Sequence, residues 1–287
     1  MTTTFTPSRP YWCAGCGDYG VLQALENGLR QLGIAAHEAL VVAGIGCSGS
    51  LQNNLSCYGY HTLHGRVLPS CTGAKLANPE LTVIGVGGDG DGYAIGGGHF
   101  MHTLKRNPSI TYIVMNNATY GLTKGQPSPT SLNGFENNVE EDLDPVLLGL
   151  SMPGSTFLAR GYTGQPAQLT RLVVEALRHA EAGKGFAYLE VLSPCVTYND
   201  TYREWRTAVF DVEQDATYDP NDRAAVFARL LQCRAERRLP IGLLYRNEHP
   251  ALESVALRKD NGPAALVDID SALLKPRYEK LMQSLMR

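Results

Sequence analysis

LTVIGVGGDGDGYAIGGGHFMHTLKRNPSITYIVMNN, residues 81–117, decides how this chain folds. Its first eight residues are an apolar, β-branched run without polar alternation, the pattern of a parallel strand buried on both faces. A glycine-rich loop follows, then a helix that should stop at Pro108, because proline cannot continue the helical hydrogen bonds. ITYIVM, 110–115, reads as a second buried strand and ends at Asn116 and Asn117. One strand end therefore carries a carboxylate, Asp89 of GDG, and the next carries amide oxygens. A hard divalent cation such as Mg²⁺ takes oxygen ligands in near-octahedral array at about 2.0–2.1 Å, usually shared with phosphate. Asp89, the Asn117 side chain and a main-chain carbonyl just beyond it offer three. Taken separately, GDGDG and the asparagine pair are only turns; the flanking strands and the helix between them favour a cation site.

Outward from this unit, strands and helices keep alternating. Residues 19–33 set Val21, Leu22, Leu25, Leu29 and Leu32 on one helical face, with Asp18 as expected N-cap and Gly33 as the stop. A buried strand is expected at 39–45. Residues 47–80 are polar and glycine-dotted, with a short helix before Pro79. The run 118–142 is a long polar loop, and loops of that length are usually functional or mobile. A helix at 144–150, a strand in STFLAR (155–160), a strongly periodic helix at 165–183 and a strand at 185–192 follow. The expected architecture is an open parallel α/β sheet with helices on both faces and right-handed crossovers. Residues 1–200 form its domain, and 201–287, more charged and with a helix at 222–238, form a partner-contacting extension. In such sheets ligands bind beyond the carboxyl ends of the strands, and Cys47, Asp89, Asn117 and Cys195 each follow such an end.

Composition narrows the class. At 287 residues, 44% hydrophobic and 18% charged, the chain matches a globular enzyme. A net charge of −3 speaks against nucleic-acid or membrane-surface binding. The longest apolar run, ALVVAGIG (39–46), is too short to span a bilayer, and no secretory signal is visible. Seven cysteines without an export signal point to metal ligation or reactivity and a cytoplasmic setting. Cys13 and Cys16 form a CxxC at a helix start, where the dipole favours thiolate. With Cys47 and Cys195 they offer four sulfurs to zinc or to an iron–sulfur cluster. A redox CxxC or cysteines used as small apolar fillers are the alternatives. Cys57, Cys71 and Cys233 lack partners and read as structural. His99 and His102 read as packing residues, and the Ser/Thr content of QPSPTS as loop composition.

GDG followed by twenty-five residues and NN resembles the diphosphate motif of thiamine-diphosphate enzymes, whose Mg²⁺ ligands correspond to Asp89, Asn117 and the main-chain oxygen of Thr119. WCAGCGDYG (12–20), GIGCSG (44–49), HTLHGR (61–66), the GDG unit, YIVMNNATYGLTKGQPSPTS (112–131) and SPCVTYN (193–199) occur in order. Together they resemble the β subunit of 2-oxoacid:ferredoxin oxidoreductases over about residues 11–205, with a further match at 239–250. The resemblance implies one [4Fe-4S] cluster on Cys13, Cys16, Cys47 and Cys195 beside thiamine diphosphate. Ser48, Gly88, Gly90, Asp91, Gly121 and Leu122 are then expected around that cofactor. His64, Arg66 and Lys124 are expected to contact cofactor or substrate, against the plainer readings of a satisfied histidine and solvated loop cations. The implied reaction is coenzyme A-dependent oxidative decarboxylation of a 2-oxo acid, of the 2-oxoglutarate type, with ferredoxin as acceptor. The carboxylate that activates the aminopyrimidine is expected from an α subunit. Pyruvate or branched or aromatic substrates, a decarboxylase without electron transfer, and a zinc-stabilised assembly module are the competing readings.

Overall fold

The apolar run at 81–88 becomes a strand at Thr82–Gly88, buried through its first six residues. We describe residues 10–256 and 271–285 of a computed structural model. Eight strands form one sheet: β1 (Ala39–Ala43), β2 (Tyr58–His61), β3 (Thr82–Gly88), β4 (Thr111–Asn116), β5 (Phe157–Tyr162), β6 (Ala187–Leu192), β7 (Val209–Asp211) and β8 (Leu239–Arg246). Their order is β2-β1-β3-β4-β6-β5-β8-β7. Every pairing is parallel except β5 with β8. The helices are α1 (Asp18–Leu32), α2 (Val67–Ala77), α3 (Gly97–Arg106), α4 (Pro145–Ser151), α5 (Pro166–Glu181), α6 (Tyr202–Ala208), α7 (Arg223–Ala235), α8 (Leu252–Ala256) and α9 (Ser271–Leu285).

Strand alternation builds two cores. Ile84 and Val86 of β3, with Ile113 and Met115 of β4, join Leu25 and Leu29 of α1 and Leu172 and Leu177 of α5. Val83, Tyr112 and Val114 turn to the other face, under α2, α3, α4 and α7, with Phe100, Val146 and Leu230. Each fully buried Leu, Ile or Phe contributes roughly 1.5–3 kcal/mol, so the unalternating strands are a consequence of helices covering both faces. Gly33 ends α1 in the left-handed region at φ 68°, as its position required.

Several expectations change. Gly17, not Asp18, precedes the first turn of α1, and no side chain caps it; Asp18 is inside the helix and buried. The chain is helical directly after Asp89, in a π turn over Gly90–Ile95, before α3 begins. α3 ends at Asn107, in the left-handed region at φ 56°, one residue ahead of the expected proline. β2 and β8 carried no strand signal. All four β2 residues are exposed, so there is no apolar face to read, and the buried run of β8 is as compatible with helix as with strand. β7 and β8 extend the same sheet. Among the described residues, no helix is long and apolar enough to cross a membrane.

Candidate active site

After β1 the chain turns towards β2, whereas after β3 it turns towards β4. Between those two departures a crevice must open at the carboxyl ends, the usual binding place in an open α/β sheet. A cleft of about 120 Å³ lies there, lined by the segment after β1 (Ile45–Ser48), the GDGD segment after β3 (Gly88–Asp91) and the segment after β4 (Asn117, Thr119–Thr123). Asp18, His64 and Met115 complete it. The sequence therefore named Cys47, Ser48, His64, Gly88, Asp89, Gly90, Asp91, Asn117, Thr119, Gly121 and Leu122 as neighbours, and all of them line one cleft.

Asp89 is 2% exposed. Its Oδ2 accepts hydrogen bonds from Ser128 Oγ at 2.5 Å and Thr130 Oγ1 at 2.7 Å. Burial pushes its carboxyl up to about 6, against the pull of those hydroxyls and of the Asp89 and Gly90 amides. Such a carboxylate lacks a compensating positive charge, as an oxygen ligand waiting for a cation would. Ser128 and Thr130 belong to the segment read as loop composition; here they hold the Asp89 carboxylate. The two asparagines part roles. Asn116 is buried and donates from Nδ2 to Glu190 Oε1 at 2.7 Å, while Asn117 lines the cleft and accepts at Oδ1 from the Thr119 amide at 3.1 Å.

The cleft also fits a diphosphate. Ser48 Oγ is buried without a partner and lies 3.3 Å from where a Gly88 side chain would begin. A side chain at Gly90 would run into the Tyr120 ring, so the backbone of the GDG turn stays bare at the start of a helical segment. Backbone amides at such a terminus favour an anion. Asp91 takes another part. Its Oδ1 accepts from the amides of Ile45 (3.0 Å) and Gly65 (2.9 Å), tying two loops together. His64 Nδ1 stands 3.0 Å from the same oxygen, off the line of a hydrogen bond. Arg66 is exposed, does not line the cleft and donates to His99 Nε2 at 2.8 Å. His99 is thus a partner of Arg66, and His102 is exposed; neither is the packing residue expected. Lys124 is exposed in a left-handed turn at φ 77° and lies outside the cleft lining.

The thiols gather on the same rim. Trp12 Nε1 donates to the Cys47 carbonyl at 2.8 Å, and the Gly17 amide to the Pro194 carbonyl at 3.1 Å. These bonds stitch the CxxC arm to the Cys47 and Cys195 segments. Cys195 Sγ and Cys47 Sγ lie 3.5 and 3.8 Å from where a Gly121 side chain would begin, beside Asn117. Cys16 feels the charges of Cys47 and Cys195, and Cys47 those of Cys195 and Cys13. The helix start does not favour thiolate as expected. Burial, then Asp18, push the Cys16 thiol far up, and burial and Asp18 push Cys47 to about 11. The electrostatic influence of these thiols on one another places their segments close together on the rim. Among the described residues no group of three His, Cys, Asp or Glu is placed to hold a single metal ion. Cys71 and Cys233 are buried, and Cys57 is half-buried against the core, as structural cysteines would be.

A family model described as thiamine pyrophosphate enzyme, C-terminal TPP binding domain, matches residues 44–191. Another, describing the C-terminal part of the pyruvate ferredoxin oxidoreductase beta subunit, matches 195–258. The chain is 41% identical over 254 residues to the 2-oxoacid:ferredoxin oxidoreductase 2 β subunit of Aeropyrum pernix, covering 83% of this chain and 80% of that one. It is 40% identical over 195 residues to a 2-oxoglutarate oxidoreductase subunit of Mycobacterium tuberculosis, covering 66% and 51%. A solved 2-oxoglutarate:ferredoxin oxidoreductase from Magnetococcus marinus superimposes with a TM-score of 0.82 at 33% identity, covering 95% of this chain and 94% of that one. That structure holds 2-oxoglutarate, coenzyme A and succinyl-CoA. The thiamine-type cleft, the fold and these relatives converge: the chain belongs to the β-subunit family of the 2-oxoacid:ferredoxin oxidoreductases.

Proposed function

We propose that this chain binds thiamine diphosphate, Mg²⁺ and one [4Fe-4S] cluster, and that together with an α subunit it turns 2-oxoglutarate and coenzyme A into succinyl-CoA, carbon dioxide and reduced ferredoxin. The observation that carries this reading is the shared rim: an oxygen-rich cleft around Asp89 and Asn117 is lined by Cys47 and adjoins Cys195, and the arm bearing Cys13 and Cys16 is hydrogen-bonded to both of their segments. Asp89, Asn117 Oδ1 and the Thr119 carbonyl would hold the cation, and Ser48 with the bare Gly88–Gly90 backbone would receive the diphosphate. When bound, thiamine diphosphate supplies the electron sink for decarboxylation. The chain's own residues grip, orient and exclude water. Ser128 and Thr130 fix the Asp89 carboxylate, and Asp91 fixes the loop bearing His64. His64 faces substrate in this reading, and Arg66 and Lys124 would reach it only after movement of their loops. Cys13, Cys16, Cys47 and Cys195 would hold the cluster, which when bound would supply the one-electron transfer that a simple decarboxylase does not need. A cytoplasmic setting goes with this chemistry, since iron–sulfur ligands require reduced thiols.

The α subunit is part of the reading for a physical reason. A cleft of about 120 Å³ is well below the roughly 300–1,000 Å³ of sites that enclose a whole organic ligand. It suits a diphosphate and its cation, leaving the rings and the activating carboxylate to a neighbouring chain. The exposed residues among 201–256 are the part of the C-terminal extension proposed to meet that partner, since β8 is buried in the sheet. Pyruvate stays the second candidate substrate, because the family model matching 195–258 is named for the pyruvate enzyme.

Anaerobically purified protein should be brown and bleach with dithionite; a colourless, zinc-containing protein would sink the cluster. The reconstituted complex should reduce ferredoxin only with coenzyme A present, fastest on 2-oxoglutarate in a panel with pyruvate and branched 2-oxo acids. Turnover by this chain alone would refute the dependence on a partner.

A further inference from the structure

Arg160 on β5 and Glu190 on β6 face one another as direct register partners. Both are buried, 4% and 1% exposed, and neither lines the cleft. Arg160 Nε donates to Glu190 Oε2 at 2.6 Å, and its Nη2 to Asp144 Oδ1 at 3.0 Å. A buried ion pair is a weak source of stability, because desolvation offsets its attraction and an apolar pair of equal volume often serves as well. Its use here lies in what it holds. Asp144 ends the long loop after β4 and caps α4 through the Val146 and Leu147 amides. Glu190 Oε1 takes the Asn116 amide that begins the loop. In the middle, Thr130 Oγ1 lies 2.8 Å from Asn116 Oδ1 and 2.7 Å from Asp89 Oδ2, able to donate to either. One charge pair thus holds the two residues that flank the loop, Asn116 and Asp144, and through Asn116 reaches Thr130, where the loop meets Asp89.

We propose that Arg160 and Glu190 are positioning residues for the cofactor site, setting the 117–143 loop and, through Asn116 and Thr130, the Asp89 carboxylate. The proposal rests on Asp89 serving thiamine diphosphate and its cation. Electrostatic order of this kind is what a metal ligand needs, since the groups that orient ligands typically carry 10–100-fold in metal affinity. Both residues escaped the sequence reading because neither sits in a motif.

The test uses the full chain purified with its partner subunit, titrated with Mn²⁺ in saturating thiamine diphosphate. Tryptic cleavage after the exposed Lys124, without cofactor, provides a second readout. Glu190→Gln should weaken Mn²⁺ binding about tenfold and speed cleavage at Lys124. In a Thr130→Val background the same change should cost less than about twofold, because the relay is already cut. Leu29→Ala, at the far end of α1, controls for stability alone and should alter neither readout. Should Glu190→Gln not fold, Arg160→Lys, which keeps the charge but loses the reach to Asp144, should show the same pair of effects. Wild-type Mn²⁺ affinity in Glu190→Gln, or an undiminished loss in the Thr130→Val background, overturns the relay. If the wild-type complex itself fails to bind thiamine diphosphate with Mn²⁺, the cofactor reading falls instead, while cleavage at Lys124 still reports whether the pair holds the loop.

Discussion

The two edges of the sheet obey different rules. At the amino-terminal edge the large polar side chains are paired, although Ser109 Oγ is buried there without a partner. Asn107, fully buried, donates from Nδ2 to the carbonyls of Lys184, His249 and Pro250 and accepts at Oδ1 from Thr156 Oγ1 and the Phe186 amide. Lys75 Nζ donates to the carbonyls of Pro79 and Leu81 at 2.8 Å. At the carboxyl edge, Ser48 Oγ and Asp91 Oδ2 are buried without partners, and Asp18 and Asp89 are both raised to about 6 by burial. One edge is built to stay folded. The other accepts a cost in the free chain that a charged ligand can relieve, which is how a binding edge differs from a structural one.

That contrast can be broken at either end. Asp89→Ala in the complete complex should lower turnover at least a thousandfold, or about 4 kcal/mol; residual activity above a tenth would deny it the role of cation ligand. Asn107→Ala should destabilise the chain by about 3 kcal/mol through the partners it abandons, measured by urea unfolding. Cofactor affinity of the folded fraction should not change, and a joint loss would merge the two edges. The third effect carries the opposite sign. A carboxyl raised in the folded state binds its proton more tightly there than in the unfolded chain. Cofactor-free stability should therefore fall as pH rises from about 4 to about 6, with the penalty complete above that window. Asp89→Asn should raise the cofactor-free stability at pH 8 by about 2 kcal/mol, and a lower melting temperature would contradict the buried-charge argument. Smallest, Gly183→Ala has space for the methyl but a φ of 67°. It should cost about 1 kcal/mol and leave the site untouched.

How much of this was legible depended on distance along the chain. The β3–α3–β4 unit, α1 and α5 were readable because their apolar periodicity is local. Asp89 and Asn117 were readable because the motif joining them lies within one strand–helix–strand unit. Asp18 was visible only as a cap, since its place in the cleft depends on Ser193, whose hydroxyl donates to it at 2.7 Å from another strand end. Ser128 and Thr130 looked like ordinary loop residues until folding set them on Asp89. Arg66 and Lys124 looked like site cations, yet neither lines the cleft, because a loop's charge says nothing of its direction.

The order of residues by itself settled the buried strands, the alternation that makes a parallel sheet, and the chemical kinds available on its rim, because these follow from side-chain period and donor type. Which of two asparagines faces the cleft, how a CxxC meets two remote cysteines, and why a buried Arg–Glu pair spans β5 and β6 were decided only by the tertiary fold. Such contacts join residues some thirty to nearly two hundred positions apart, and no local pattern encodes a separation of that length.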